Sequence, residues 1–151
     1  MRKLTLFFLI FFMSSSLHAE WILTGENETQ KNFIRLPVKK VKEFVMIWDL
    51  IDYSSPQVFP QKNSENLYSS SIALTEVDCK NETFRISASH LYSGHMQTGA
   101  IISSSNFSAK DKNYEMFEPI IPNSQISYFM EIACNKIKYV IKDKILYPLN
   151  N

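Results

Sequence analysis

Glycine is nearly absent from this chain: three occur in 151 residues. No serine therefore sits in a nucleophile elbow, which needs glycine on both sides of the nucleophile, and most turns have to be built from Asn, Ser, Asp and Pro. Cysteine is almost as scarce. The two present, Cys79 and Cys134, lie in neither a CxxC pair nor a Cys/His ligand cluster, which argues against a zinc site or a redox dithiol. There is no excess of one charge: 16 Lys and Arg face 15 Asp and Glu, far from the basic balance of a nucleic-acid binder. Beyond the first twenty positions, no apolar run approaches the length of about 20 residues needed to cross a bilayer.

What the chain does have begins at its N-terminus. Arg2 and Lys3 precede the apolar run Leu4–Met13, and Ser14, Ser15 and Ser16 follow it. That order is the layout of a secretory signal peptide over residues 1–19, with cleavage expected after Ala19 or, as the alternative, after Ser16. Removing Arg2 and Lys3 takes the basic count from 16 to 14 against 15 acids, a net charge of −1 for one domain spanning residues 20–151. Export also gives the cysteines their meaning. In an oxidising space two cysteines pair, and a Cys79–Cys134 bridge closing so long a loop is worth about 4 kcal/mol on the chain-entropy model. Neither cysteine follows the apolar run directly, so the mature protein is expected to lack a lipid anchor.

Short alternating segments dominate the rest. Phe84, Ile86 and Ala88 alternate with Arg85, Ser87 and Ser89, which predicts a strand with one dry and one wet face. Ile137, Tyr139 and Ile141 alternate with Lys136, Lys138 and Lys142, a lysine-faced strand suited to a sheet edge. Residues Val41–Tyr53 carry Val41, Phe44, Val45, Trp48 and Ile51 at positions that also suit a helix. Their β-branched and aromatic content favours a central strand buried on both sides, with Trp48 in the core. Further strands are expected at Trp21–Thr24, Asn32–Leu36, Tyr68–Val77 and Met96–Ser103, and a loop at Ser103–Asn113. One helix is expected, capped by Asn123 and carrying Ile126, Phe129, Met130 and Ala133 on one face up to Cys134. The sum is an α+β domain: an antiparallel sheet of about six strands with a C-terminal helix tied to it by the disulfide.

Several blocks together resemble the surface-adhesin protein E family of Gram-negative bacteria. They are Trp48, Asp49, Leu50, Asp52 and Tyr53 with Pro56 and Gln57; Tyr68, Ser69 and Ser70; Glu76, Asp78, Cys79 and Lys80; Tyr92, Met96 and Gly99; Pro119, Ile120, Pro122, Asn123 and Ser124; and Ala133 with Cys134. The resemblance runs over residues 21–135, and residues 136–151 form an extension that it does not cover. It implies antiparallel strands with a C-terminal helix, often a homodimer, and a surface role in binding laminin, vitronectin or plasminogen.

No pattern of residues points to catalysis or to a cofactor. His90, His95 and Asp78 do not have a usual zinc spacing and read as surface groups, and the acid pairs Asp49/Asp52 and Glu76/Asp78 read as solvated charges at strand ends. Candidate ligand-binding cations are Lys39, Lys40 and Lys42 in one group and Lys136 and Lys138 in another, with Lys142 and Lys144 beside them. Cations of this kind suit acidic matrix proteins or the lysine-binding modules of plasminogen. The expected function is an exported adhesin-like binding protein, located in the periplasm, secreted or on the outer-membrane surface. The alternative is a periplasmic lysozyme-inhibitor-like or envelope-maintenance protein, with the loop Tyr92, Ser93, Gly94, His95 as its plug.

Overall fold

The computed structural model describes residues 20–59, 66–107 and 116–149. The signal segment 1–19 and most of the loop expected over 103–113 lie outside these. Nine strands form one sheet: β1 (Trp21–Glu26), β2 (Gln30–Val41), β3 (Phe44–Val58), β4 (Leu67–Asp78), β5 (Thr83–Tyr92), β6 (Ile101–Asn106), β7 (Glu118–Pro119), β8 (Tyr139–Lys142) and β9 (Ile145–Pro148). Their order is β6-β5-β4-β3-β2-β1-β9-β8, with the short β7 also pairing with β5. Among the described residues one α-helix, α1 (Gln125–Ala133), packs on one side of it.

Each long strand supplies both faces by alternation, because residues directly opposed across an antiparallel ladder point the same way. Ile22, Ile34, Asp49 and Ala73 form one row across β1 to β4, and Trp21, Arg35, Trp48 and Leu74 form the adjacent row on the other face. The first face, with Ile22, Ile34, Val45, Ile47 and Val77, packs against Phe129, Met130, Ile132 and Ala133 of α1 and against Leu146 of β9 to make the core. The second face has no helix over it. It is closed only in part, by Phe117 stacked on Phe44 at one end and by the 3-10 turn His95–Gln97 at the other.

Several expectations change. The sheet has nine strands rather than about six, and it is not wholly antiparallel, since β1 meets β9 in parallel at Leu23 and Ile145. The strands not expected, β7 and β9, are short: β8 continues into β9 through a turn whose residues Asp143 and Lys144 adopt φ of 51° and 64° without a glycine to announce them. Trp48 is not core but half-buried on the open face. The helix is capped by Ser124, whose Oγ accepts from the Ser127 N–H at 3.2 Å, while Asn123 sits before it at φ 61°. Met96 belongs to the 3-10 turn, and Ser103 to Asn106 extend β6 rather than opening a loop. The strand expected over Val41–Tyr53 starts later, since Val41 ends β2 and Lys42 and Glu43 turn the chain; Phe44 to Tyr53 lie in β3, between β2 and β4, and the lysine-faced segment ends in β8 at the sheet's outer edge.

Candidate functional site

One end of the sheet gathers most of the residues that sequence singled out. Phe44 at the start of β3 pairs with Asp78 at the end of β4, so the β2–β3 turn at Lys42 and Glu43 lies beside the β4–β5 turn that begins at Cys79. Cys79 is bridged to Cys134, with Cα atoms 5.7 Å apart, and Cys134 is the C-cap of α1. The bridge therefore fastens the last turn of the helix to the end of the sheet. Asp78 closes the β4–β5 turn by accepting from the backbone N–H groups of Lys80 and Asn81 and from the Asn81 side chain. The backbone and side-chain hydrogen bonds from Asn81 hold its carboxyl below the usual range.

A groove of about 570 Å³ opens at this end, between the second half of β2, the end of α1 and the β8–β9 hairpin. Ile22, Leu36, Pro37, Val38, Ile132, Tyr139 and Ile141 line it, with Glu20 and Asn135. The predicted lysines stand next to its lining residues along the chain: Lys39 follows Val38, Lys136 follows Asn135, Lys138 precedes Tyr139 and Lys142 follows Ile141. Lys39 itself pairs with Met46 and lines a cleft on the opposite, open face. Lys136 is tied to Glu82 and Lys144 to Glu20. Lys39, Lys40, Lys42, Lys138 and Lys142 are exposed and have no carboxylate partner among the described residues. The two lysine groups, about a hundred positions apart in the chain, thus adjoin in sequence residues that line one apolar trough.

The family model of surface-adhesin protein E matches residues 21–135. The chain belongs to the surface-adhesin protein E family. Among solved structures, Haemophilus influenzae protein E aligns with a TM-score of 0.52 at 12% identity, covering 77% of this chain and 84% of that one, a likeness of fold. Among curated proteins none matches the chain. The matched segment ends at Asn135, so the β8–β9 hairpin, which builds one wall of the groove, lies beyond the adhesin E match.

The other residues noted in the sequence go to separate places in this adhesin E fold. His90 Nδ1 lies 2.9 Å from Ser104 Oγ, and His95 Nδ1 lies 3.2 Å from Asp52 Oδ1. Among the described residues no group of three or more His, Cys, Asp or Glu could hold a metal ion. The loop after Tyr92 folds back on the sheet: Ser70 Oγ donates to the Gly94 carbonyl at 2.7 Å and accepts from Gln97 N–H at 3.0 Å, while Asp52 accepts from Met96 N–H at 2.8 Å. An inhibitory plug needs a projecting loop, and this one is bound down.

Two acids read as solvated are not. Glu76 is buried on the open face, where Arg85 clasps it through Nε at 2.8 Å and Nη2 at 2.6 Å. Arg85 is itself stacked against Phe117 at 4.5 Å. Asp49 lies mid-strand on the helix-covered face, beside a cleft of about 310 Å³ lined by Ile51, Ala73, Thr75, Ile86, Ile126 and Phe129. Desolvation pushes its carboxyl up to about 7, although Thr75 Oγ1 donates to it at 2.9 Å. The signal for both was position: each occupies an interior residue of a long strand, where alternation sets the face and charge does not.

Proposed function

We propose that this adhesin E protein is an exported, non-catalytic binding module that contacts host extracellular-matrix proteins or plasminogen through the groove at its disulfide end and the lysines that adjoin it in sequence. What supports the reading is one apolar trough whose lining residues Val38 and Tyr139 adjoin Lys39 and Lys138 along the chain, with Lys40 and Lys42 close by in sequence. Apolar lining supplies contact area, and unpaired cations supply attraction and orientation toward an acidic surface. Family membership supports the adhesive role. The segment 1–19 is read as the signal that delivers the chain to the envelope, where a surface position would allow host contact.

The test is capture of the exported protein on immobilised laminin, vitronectin and plasminogen. Micromolar binding that weakens several-fold between 50 and 300 mM salt is expected, because exposed charges are screened over about 10 Å at 0.1 M. Exchanging Lys39, Lys40, Lys42 and Lys138 for Gln should weaken it by about tenfold while leaving the fold intact. No capture at micromolar concentration on any of the three would sink the reading. Protease treatment of intact cells, followed by fractionation, decides whether the protein reaches the surface.

A further inference from the structure

The open face carries a second candidate site, which shares only Pro37 with the lining of the groove. Trp21, Arg35, Trp48 and Leu74 stand in one row across four strands. Beside them a cleft of about 230 Å³ is lined by Arg35, Pro37, Lys39, Met46, Trp48 and Leu74. The Arg35 guanidinium lies 4.5 Å over the Trp21 ring. Its Nε is buried with no hydrogen-bond partner, and Arg35 has no carboxylate partner among the described residues. A buried donor left unpaired loses its hydration without a replacement bond. Such a group is unfavourable in the free protein and gains when an acceptor arrives.

Charge around the cleft has one sign. Arg35 and Lys39 both contribute to its lining, and no acid does. The acids that share this face are engaged elsewhere, Glu76 by Arg85 and Asp52 by the turn at Met96. The cleft is smaller than the roughly 300 Å³ at which whole-ligand pockets begin, so it suits a single ring of a larger molecule. It also lies on the flat of the sheet rather than at an edge, at a point where β2 and β3 pair on either side of a bulge between Arg35 and Lys39. Peptides are read best by adding a strand at an edge, whereas side chains do the recognising here.

We propose that this cleft binds an acidic sugar unit, a carboxylate- or sulfate-bearing pyranose of a glycan. Its apolar C–H face lies on the Trp48 ring, whose negative face attracts weakly positive hydrogens. Its anionic group meets the Arg35 fork, planar and able to donate two parallel hydrogen bonds, with Lys39 as the second cation. The proposal is independent of which matrix protein the groove contacts.

Trp21 and Trp48 are the chain's only tryptophans, so intrinsic fluorescence reports on this face directly. Sialyllactose and a heparin-derived disaccharide, titrated into the exported protein, should each be compared with lactose. A saturable fluorescence change with at least one acidic sugar, and none with lactose, is expected. A response to sialyllactose alone places the acid at a glycan terminus, and one to the heparin fragment alone places it in a sulfated chain; either supports the site. Arg35→Gln should weaken binding about tenfold or more, the cost of a lost charged hydrogen bond, and the exposed Lys39→Gln several-fold with an unchanged melting curve. Lactose binding as tightly as the acidic sugars, no response to either acidic sugar at millimolar concentration, or unaltered affinity in Lys39→Gln would overturn the proposal, and the last holds even if Arg35→Gln fails to fold.

Discussion

The two faces of this sheet come from the same strands and meet different fates. On the covered face, Ile34, Ile47 and Val77 are sealed by α1, and the one acid there, Asp49, is driven toward its neutral form. On the open face, Trp21, Arg35, Met46, Trp48 and Leu74 stay half-buried, Leu50 and Ile72 are buried only toward the end closed by the 3-10 turn, and Glu76 keeps its ion pair with Arg85. Alternation delivered both faces equally. The difference was made by one nine-residue helix and one covalent bond, which teaches that the covering element, more than strand composition, decides which face is core.

Removing the clamp should do most to erase that difference. Replacing Cys79 and Cys134 by Ser is expected to cost about 4 kcal/mol in urea unfolding, the loop-entropy value for a bridge 55 positions apart. A loss below about 1 kcal/mol would mean that the helix holds its place without the bond. Next comes a pair of truncations on neighbouring residues of β3. Ile47→Ala, at 1% exposure, should cost about 3 kcal/mol, and Met46→Ala, on the open face, about 1 kcal/mol or less. Equal losses would break the comparison.

Asp49 gives the subtlest test. Unfolded, its carboxyl ionises near its ordinary value of 3.8, whereas the folded chain holds the proton to about 7. Between those values the unfolded state is ionised and the folded state is not, so stability falls as pH rises from about 4 to 7 and is level above that. Asp49→Asn keeps an acceptor for Thr75 and removes the charge. It should raise stability at pH 7.5 by about 2 kcal/mol, since holding a proton through one pH unit is worth about 1.4 kcal/mol and the new amide keeps part of the desolvation cost. The decline between pH 4 and 7 should flatten in the variant. A decline that persists unchanged would assign it to another group.

The bridge, the helix and the long strands were legible in sequence because each rests on a local or compositional rule: two cysteines in an exported chain, an apolar stripe ending at Ala133, alternation through Phe84–Ala88. What escaped has a common cause. The β8–β9 hairpin turns on Asp143 and Lys144, and the β2–β3 hairpin on Lys42 at φ 55°, so the positive-φ residues that mark such turns carried no glycine signal. Trp48 and Asp49 were misplaced together, since a strand whose both faces look apolar does not say which one the helix covers. The groove itself joins β2 to the β8–β9 hairpin because β9 pairs in parallel with β1, a long-range contact that periodicity cannot encode.

A helix of nine residues is too short to persist alone in water, where about 12–15 are marginal even for good formers. α1 therefore depends on the finished sheet and the closed bond. Opening the bond would free the last turn of α1 from the β4–β5 turn and leave one apolar face of the sheet without its cover, so that the disulfide acts as a latch on the core.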